Sequence, residues 1–247
     1  GFDWDPRRAP FPGLPAFARE DAAVYFGRDP EVRELIDRLR ARRAMGGAHM
    51  VAVLGSSGSG KSSLLRAGVL PRLQKFEPGF VVVPPLRPGS DPCAELAKAM
   101  AEALGKPTQW RTLAEHLAAD PAAVATDLLM AAGRREATLL ITIDQAEEVV
   151  GFTPPEARVR FEGWLRALQR QPVLVLLTLR SDRLGELQQW AQPIGAFEQF
   201  SLPPLPAARL AQVIEGPARV AGLGIAPGVV DAVMHDAGGA DAMPLLP

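Results

Sequence analysis

The chain has 247 residues, 47% of them hydrophobic and 22% charged, with a formal net charge of −1. That length allows one large domain or one domain with a smaller lid, and the composition is that of a globular protein with a real core. The near-neutral balance argues against bulk binding of nucleic acid or acidic lipid. The apolar runs near Leu139–Ile143 and Val173–Leu179 are far shorter than the ~20 residues of a membrane-spanning helix. Cys93 is the single cysteine, so no intramolecular disulfide is possible and a reducing, cytoplasmic compartment is expected. The start Gly1-Phe2-Asp3-Trp4 has neither a basic n-region nor an apolar h-region. A chain that does not begin with Met is expected to be a piece of a longer protein with flanking domains.

Residues 1–20 carry Pro6, Pro10, Pro12 and Pro15 and read as an extended, proline-rich linker. Asp29-Pro30-Glu31 opens a helix, with Asp29 as N-cap and Pro30 at the first helical position. Val32, Leu35, Ile36 and Leu39 give that helix an apolar stripe, and Gly46-Gly47 is expected to end it. Its arginines at 33, 38, 40, 42 and 43 read as a solvated face in preference to a ligand-contacting patch. Residues 50–54 are apolar throughout, as in a parallel strand buried on both faces.

The next residues are Gly55-Ser56-Ser57-Gly58-Ser59-Gly60-Lys61-Ser62-Ser63. Gly55, Gly60, Lys61 and Ser62 fit G-x-x-x-x-G-K-[ST], the P-loop pattern, between a strand and a helix. Glycines let the backbone curl around a phosphate, and a following helix aims its positive end at the same anion. Lys61 has the reach for the β- and γ-phosphates, and the Ser62 hydroxyl is a Mg²⁺ ligand. A plain Gly/Ser loop explains neither Lys-Ser after the last glycine nor the flanking elements.

The helix after the loop is expected to stop near Leu70, before Pro71. A short strand follows at 80–83. A helix at 92–104 sets Cys93, Leu96, Ala97, Met100 and Leu104 on one side, which makes Cys93 a packing residue before a nucleophile. Residues 113–117 and 121–134 are helical. Residues 137–144 form an apolar strand ending in Asp144, and 155–169 a helix with Val159, Phe161, Trp164, Leu165 and Leu168 as core contacts. Residues 173–179 are a strand, 182–190 a helix and 196–202 a last strand. Residues 207–215 are helical, broken at Gly216-Pro217, and 229–235 are helical again. Alternation of strands and helices argues for a parallel sheet covered on both faces.

Three further features carry chemistry. Asp144, ending an apolar strand well after the P-loop, is a Walker-B arrangement suited to Mg²⁺. Gln145 stands where many P-loop ATPases have a glutamate, so Glu147 and Glu148 are the acids left to orient an attacking water, Glu147 slightly preferred. Arg180 ends the next apolar strand, on the edge where α/β sheets bind ligands; it is read as a γ-phosphate sensor, the alternative being an ion pair with Asp182. His49, His116 and His235 lie scattered without metal-ligand spacing, and Ser181 lacks a nucleophile-elbow context. Trp110 and Trp164 read as packing residues.

Together, Phe26-Gly27-Arg28, Gly55–Ser63, Asp144-Gln145-Ala146-Glu147-Glu148, Leu179-Arg180-Ser181-Asp182 and Ile214-Glu215-Gly216-Pro217-Ala218 resemble the STAND NTPases, signal-transduction ATPases with numerous domains. The likeness is strongest to the bacterial "novel STAND" branch, whose members include fusions to WD-repeats or TIR effector domains, and it covers residues 12–246. It implies an α/β P-loop NTPase of the ASCE type, with a parallel sheet in the order 5-1-4-3-2 and the start of a helical lid. The implied division is a linker at 1–20, the NTPase domain at 21–203 and the lid at 204–247. The resemblance places Phe26, Gly27 and Arg28 at the adenine, Glu147 as the second acid, Arg180 as sensor and Pro244 of Ala242-Met243-Pro244-Leu245 on the nucleotide. Ala and Met there replace the family's usual Gly and Leu. The ligands implied are ATP or ADP with Mg²⁺. The implied role is a slow nucleotide switch whose active state self-oligomerises and activates fused effector (TIR or protease) domains under control of repeat sensors, in signalling or antiphage-type defence. The rival roles are a fast AAA-type remodelling motor, a nucleotide-binding scaffold that does not hydrolyse, and an NTPase stimulated by nucleic acid through residues 33–43.

Overall fold

The computed structural model describes residues 1–45 and 49–236. In chain order the elements are α1 (Asp29–Met45), β1 (His49–Gly55), α2 (Lys61–Ser63), α3 (Leu70–Phe76), β2 (Phe80–Val82), α4 (Pro92–Ala103), α5 (Trp110–Ala119), α6 (Pro121–Ala131), β3 (Thr138–Ile143), α7 (Glu147–Gly151), α8 (Pro155–Leu168), β4 (Val173–Arg180), α9 (Leu184–Ala191), β5 (Phe197–Ser201), α10 (Leu210–Val220) and α11 (Val229–Asp236). The chain groups into two compact units, one of residues 37–54 and 73–201, the other of residues 1–36, 55–72 and 202 onward. The expected end of α1 at Gly46-Gly47 lies outside the described residues.

The first unit holds the sheet. Its order is β2-β3-β4-β1-β5, the expected 5-1-4-3-2 read from the other edge. β3 lies parallel to β4 with Leu139 opposite Val173 and Ile143 opposite Leu177, and β1 lies parallel to β5 with Met50 opposite Phe197. Both faces of the central strands are buried, which is why Val51–Leu54 and Leu139–Ile143 show no polar alternation, Thr142 excepted. One face places Met50, Ala52, Ile141, Ile143, Val175 and Leu177 in a common core with Leu96, Met100, Leu117 and Phe161 from the helices. Cys93 belongs to that core, and burial pushes its thiol up to about 11, so it stays protonated and unreactive near neutrality. Val159, expected in the core, is 64% exposed; α8 turns Ala157, Phe161, Trp164, Leu165 and Leu168 inward instead, and Val159 falls outside that i, i+4, i+7 series.

The arginines near the end of α1 are structural. Arg38 Nη1 and Arg42 Nε donate to the two carboxylate oxygens of Glu198 on β5 at 2.9 and 2.6 Å, and Arg38 also lies over the Phe200 ring. Arg40 pairs with Glu77 and Asp37, and Arg43 donates to the Glu136 carbonyl. The Arg43 guanidinium lies against Gly79, where a Cβ would stand 2.7 Å from the guanidinium carbon and would make that side chain shift.

The second unit holds the glycine loop and the segments around it. The helix after the loop does not stop at Leu70: a π-helical stretch (Leu64–Val69) leads directly into α3, which carries Pro71 inside it. Pro71 has no N–H for the Ala67 carbonyl, and Arg72 Nη1 replaces it, donating to Ala67 O at 3.2 Å and Gly68 O at 2.7 Å. Likewise α10 runs through Gly216-Pro217 where a break was expected. Gly216 serves packing, because a Cβ there would come within 2.4 Å of the Phe26 ring. The proline-rich segment is fastened: Arg8 donates to Asp21 at 2.7 Å, and the Phe17 amide donates to Ser63 Oγ at 3.1 Å.

Burial alone would raise the Glu198 carboxyl, but the Arg42 and Arg38 guanidinium groups outweigh it and hold the group below the ordinary glutamate range. A depressed folded pKa means stability that is present above the unfolded value and lost as pH falls through the folded one. Glu198→Gln is therefore expected to cost about 0.5–1 kcal/mol at pH 7. In urea unfolding, the gap between parent and variant should shrink as pH falls from about 4.3 downward. A gap constant to pH 3 would show that charge pairing is not its source.

Candidate nucleotide site

In the second unit the loop is shaped by its glycines. Gly58 and Gly60 have φ of 76° and 87°, a region L side chains disfavour, so these positions need glycine. Gly55 is closed in: a Cβ there would lie 2.5 Å from Ser59 Oγ and 3.1 Å from the Leu202 carbonyl. Lys61 Nζ donates back to the carbonyls of Gly55 at 2.9 Å and Ser56 at 2.7 Å, so its ammonium is held within the curl of the loop. A left-handed glycine preceding a lysine at a helix start, folded around that cation, suits a phosphate group. Ser56, Ser57 and Gly58 face solvent, while Ser59 and Ser63 are buried.

The loop is held from behind by a buried charge chain that the sequence did not disclose. Arg28 is 1% exposed. Its Nη2 donates to the Ser59 carbonyl at 3.1 Å and its Nη1 to Glu31 Oε1 at 3.3 Å. Glu31 in turn accepts from Arg209 Nη1 at 2.8 Å, and Arg209 also reaches the Gly27 carbonyl. Gly27 has φ of 84°, and a Cβ on it would meet Val213 of α10 at 2.6 Å. Phe26, Gly27 and Arg28, expected at the base, pack on α10 and the glycine loop; Arg28 Nη1 and Nη2 are engaged by Glu31 and Ser59, while its buried Nε has no hydrogen-bond partner among the described residues.

The sheet unit carries the acidic candidates. β3 ends at Ile143, β4 at Arg180, and the apolar part of β1 at Leu54, so parallel pairing sets these C-terminal ends along one edge. Asp144 is 1% exposed and accepts from Thr178 Oγ1 at 2.6 Å. Gln145 is the one described non-glycine residue with positive φ, 59°; its N–H donates to Thr178 Oγ1 at 2.8 Å and its side chain accepts from Arg87. Arg87 also pairs with Glu148, whose other oxygen accepts from the Gly89 amide at 3.1 Å. Glu147 has a buried Oε2 with no hydrogen-bond partner among the described residues, and its charge helps raise the pKa of Arg180. The larger cause of that rise is the hydrogen bond from Arg180 to Asp182, at 2.8 and 3.0 Å.

The structure thus brings Phe26, Gly27 and Arg28 together with Gly55–Ser63 in one unit, and Asp144, Glu147 and Arg180 in the other. Pro244 lies outside the described residues. Thr178, Arg87, Glu31 and Arg209 were missed. Thr178 had a signal, as the one polar residue in the apolar run Val173–Leu179. Arg87 and Arg209 had none, since their partners lie 58 and 178 residues away.

Comparison with known proteins resolves the class. The sequence profile of the family described as Novel STAND NTPase 1 matches residues 10–247, nearly the whole chain. The chain belongs to that family. Among curated proteins nothing matches. Of solved structures, the Walker-type ATPase of Pyrococcus abyssi is similar at TM-score 0.56 and 16% identity, over 92% of this chain and 67% of that one. The Aeropyrum pernix ORC1 protein, solved in complex with DNA, is similar at TM-score 0.58 and 21% identity, over 92% of this chain and 61% of that one. Domain III of the Thermotoga maritima replication initiator DnaA gives TM-score 0.53 at 12% identity, over 92% of this chain and 83% of that domain. At such identities the likeness is one of fold. This novel STAND NTPase spans about three fifths of the length of the ORC1 protein. No helix among its described residues is long and apolar enough to cross a membrane.

The Arg28–Glu31 pair is expected to hold the loop by burial. Arg28→Met, which keeps bulk and removes charge, should cost about 3 kcal/mol in urea unfolding, because Glu31 loses one of its two cations in a dry site. A variant as stable as the parent would mean that the pair contributes nothing to holding the loop.

Proposed function

We propose that this NTPase is an ATP-binding, slowly hydrolysing switch whose nucleotide state controls self-association and the activity of effector domains fused to it, of TIR or protease type, in bacterial signalling or defence. The observation that carries this reading is the glycine loop folded around Lys61, in a chain of the novel STAND family. ATP or ADP is taken by Gly55–Ser63, with Lys61 on the outer phosphates and Phe26 and Gly27 toward the base, Arg28 serving that side by bracing the loop through the Ser59 carbonyl. Ser62 and Asp144 supply the hydroxyl and carboxylate that Mg²⁺ takes, hard oxygen ligands of the kind it prefers. When bound, Mg²⁺ neutralises phosphate charge. Residues 21–203 serve as the NTPase domain, and the helices from 204 onward as the lid that reads the nucleotide.

Slow turnover fits the acidic candidates. Gln145 replaces the usual glutamate, and Glu148 is engaged by Arg87 and the Gly89 amide. Glu147, whose Oε2 has no hydrogen-bond partner among the described residues, is then the acid that orients water. Arg180 acts as sensor by exchanging Asp182 for a γ-phosphate; the ion pair is solvent-exposed, so its loss costs little. The switch works only to the extent that the two nucleotides differ in affinity for the two forms. A DNA-binding role, suggested by the DNA complex of the ORC1 neighbour, gains no support from residues 33–43: Arg38, Arg40, Arg42 and Arg43 are engaged within the fold.

With the full chain, Lys61→Ala is expected to lose measurable ATP and ADP binding in calorimetry. Light scattering should find larger species with a non-hydrolysable ATP analogue than with ADP. Parental affinity in Lys61→Ala would remove the phosphate role of the loop. A steady-state turnover of many per second, the same in both assembly states, would instead favour a motor.

A further inference from the structure

The three residues that follow β3 are all fastened to a single residue of β4. Thr178 Oγ1 donates its one hydrogen to Asp144 Oδ1 at 2.6 Å, and accepts from the Gln145 amide at 2.8 Å. The Thr178 carbonyl accepts from the Ala146 amide at 2.8 Å. Both partners of the first bond are buried, Thr178 at 0% and Asp144 at 1% exposure. A hydroxyl in an otherwise apolar, fully buried strand needs a reason, because an unpaired one is costly. Here it is matched in both directions. Its χ1 is stiff because threonine is branched at Cβ, so the oxygen it presents is fixed in place by the strand.

The consequence falls on Asp144. A carboxylate at the end of a strand has rotational freedom that a cation must remove on binding. Thr178 removes it beforehand by pinning Oδ1. The bond to the Gln145 amide acts in the same direction, since Gln145 sits at φ 59°, a conformation that is unfavourable for a non-glycine residue. One hydroxyl therefore sets the carboxylate and stabilises the turn that carries it away from β3. Carboxylates that ligate metals are commonly held by such hydrogen bonds, and loss of the supporting group weakens the metal.

We infer that Thr178 is a positioning residue for Mg²⁺-nucleotide, acting through Asp144. This rests on the reading of Asp144 as a Mg²⁺ ligand. Serine at 178 preserves the bonding, and valine preserves shape while deleting it. No other β4 side chain in the run Val173–Leu179 can substitute, all being aliphatic.

The test is binding of a fluorescent ADP by the full chain, titrated with Mg²⁺ and repeated in EDTA. In Thr178→Val the Mg²⁺ concentration for half-maximal tightening should rise about 10- to 100-fold, with affinity in EDTA as in the parent. Thr178→Ser should stay close to the parent. Parental Mg²⁺ dependence in Thr178→Val overturns the inference, as does a Thr178→Ser as impaired as the valine variant, or an equal loss in EDTA, which would mark a general packing role. If Thr178→Val does not fold, Thr178→Cys, whose thiol is a weak donor, takes its place with the same expected and overturning results. Asp144→Asn separates the two levels. Parental Mg²⁺ dependence in Asp144→Asn removes the metal reading itself; loss there with parental behaviour in Thr178→Val removes only the role of Thr178.

Discussion

A parallel sheet buried on both faces leaves almost no room for polar chemistry within its strands, and this constraint organises the molecule. Between β1, β3 and β4 a buried side chain is favoured when it is apolar, and a polar one costs free energy unless a neighbour satisfies it. The candidate site residues of the sheet unit therefore lie at the strand ends, where the chain leaves the sheet. Asp144 follows β3, Arg180 closes β4 and the glycine loop follows β1. Within the sheet unit, parallel pairing sends the ends of β3 and β4 the same way, so Asp144 and Arg180 are delivered to one edge although they lie far apart in sequence.

The polar groups that do lie inside strands differ in how they are satisfied. Thr178 is matched by Asp144 and the Gln145 amide, so its hydroxyl is built into the turn after β3. Thr142 of β3 is also fully buried, with a hydroxyl that has no partner among the described residues, and nothing in the structure accounts for it. The contrast indicates that a buried hydroxyl is not informative by itself; its partners decide what it does.

In the loop unit the same economy takes another form. Arg28 and Glu31 are buried charges whose desolvation cost is offset, among the described residues, by each other, the Ser59 carbonyl and Arg209, which also reaches Gly27. The chain of contacts runs from the glycine loop to α10. Around it Gly27 and Gly216 let Val213 and Phe26 approach at distances a Cβ would forbid. Close packing and buried charge together tie the loop to the helix that follows β5 in the chain.

The sequence by itself determined the alternation of strands and helices, the glycine loop with Lys61 and Ser62, and Asp144 at the end of an apolar strand; the strand order came only from the family resemblance. The first three are local patterns, in which neighbouring residues carry the whole signal. It also misread two helices, because Pro71 and Gly216-Pro217 are strong local breakers. Arg72 meets the carbonyl that Pro71 leaves, and Phe26 demands the glycine at 216; both facts are spatial. Only the tertiary structure decided that the α1 arginines serve Glu198 and Glu77, that Arg28 braces the loop, that Glu148 is engaged while Glu147 Oε2 is not, and that Thr178 holds Asp144. Each depends on which distant residue stands within about 3 Å. Composition and periodicity do not encode such distances, because they describe what a residue is and not what the fold brings beside it.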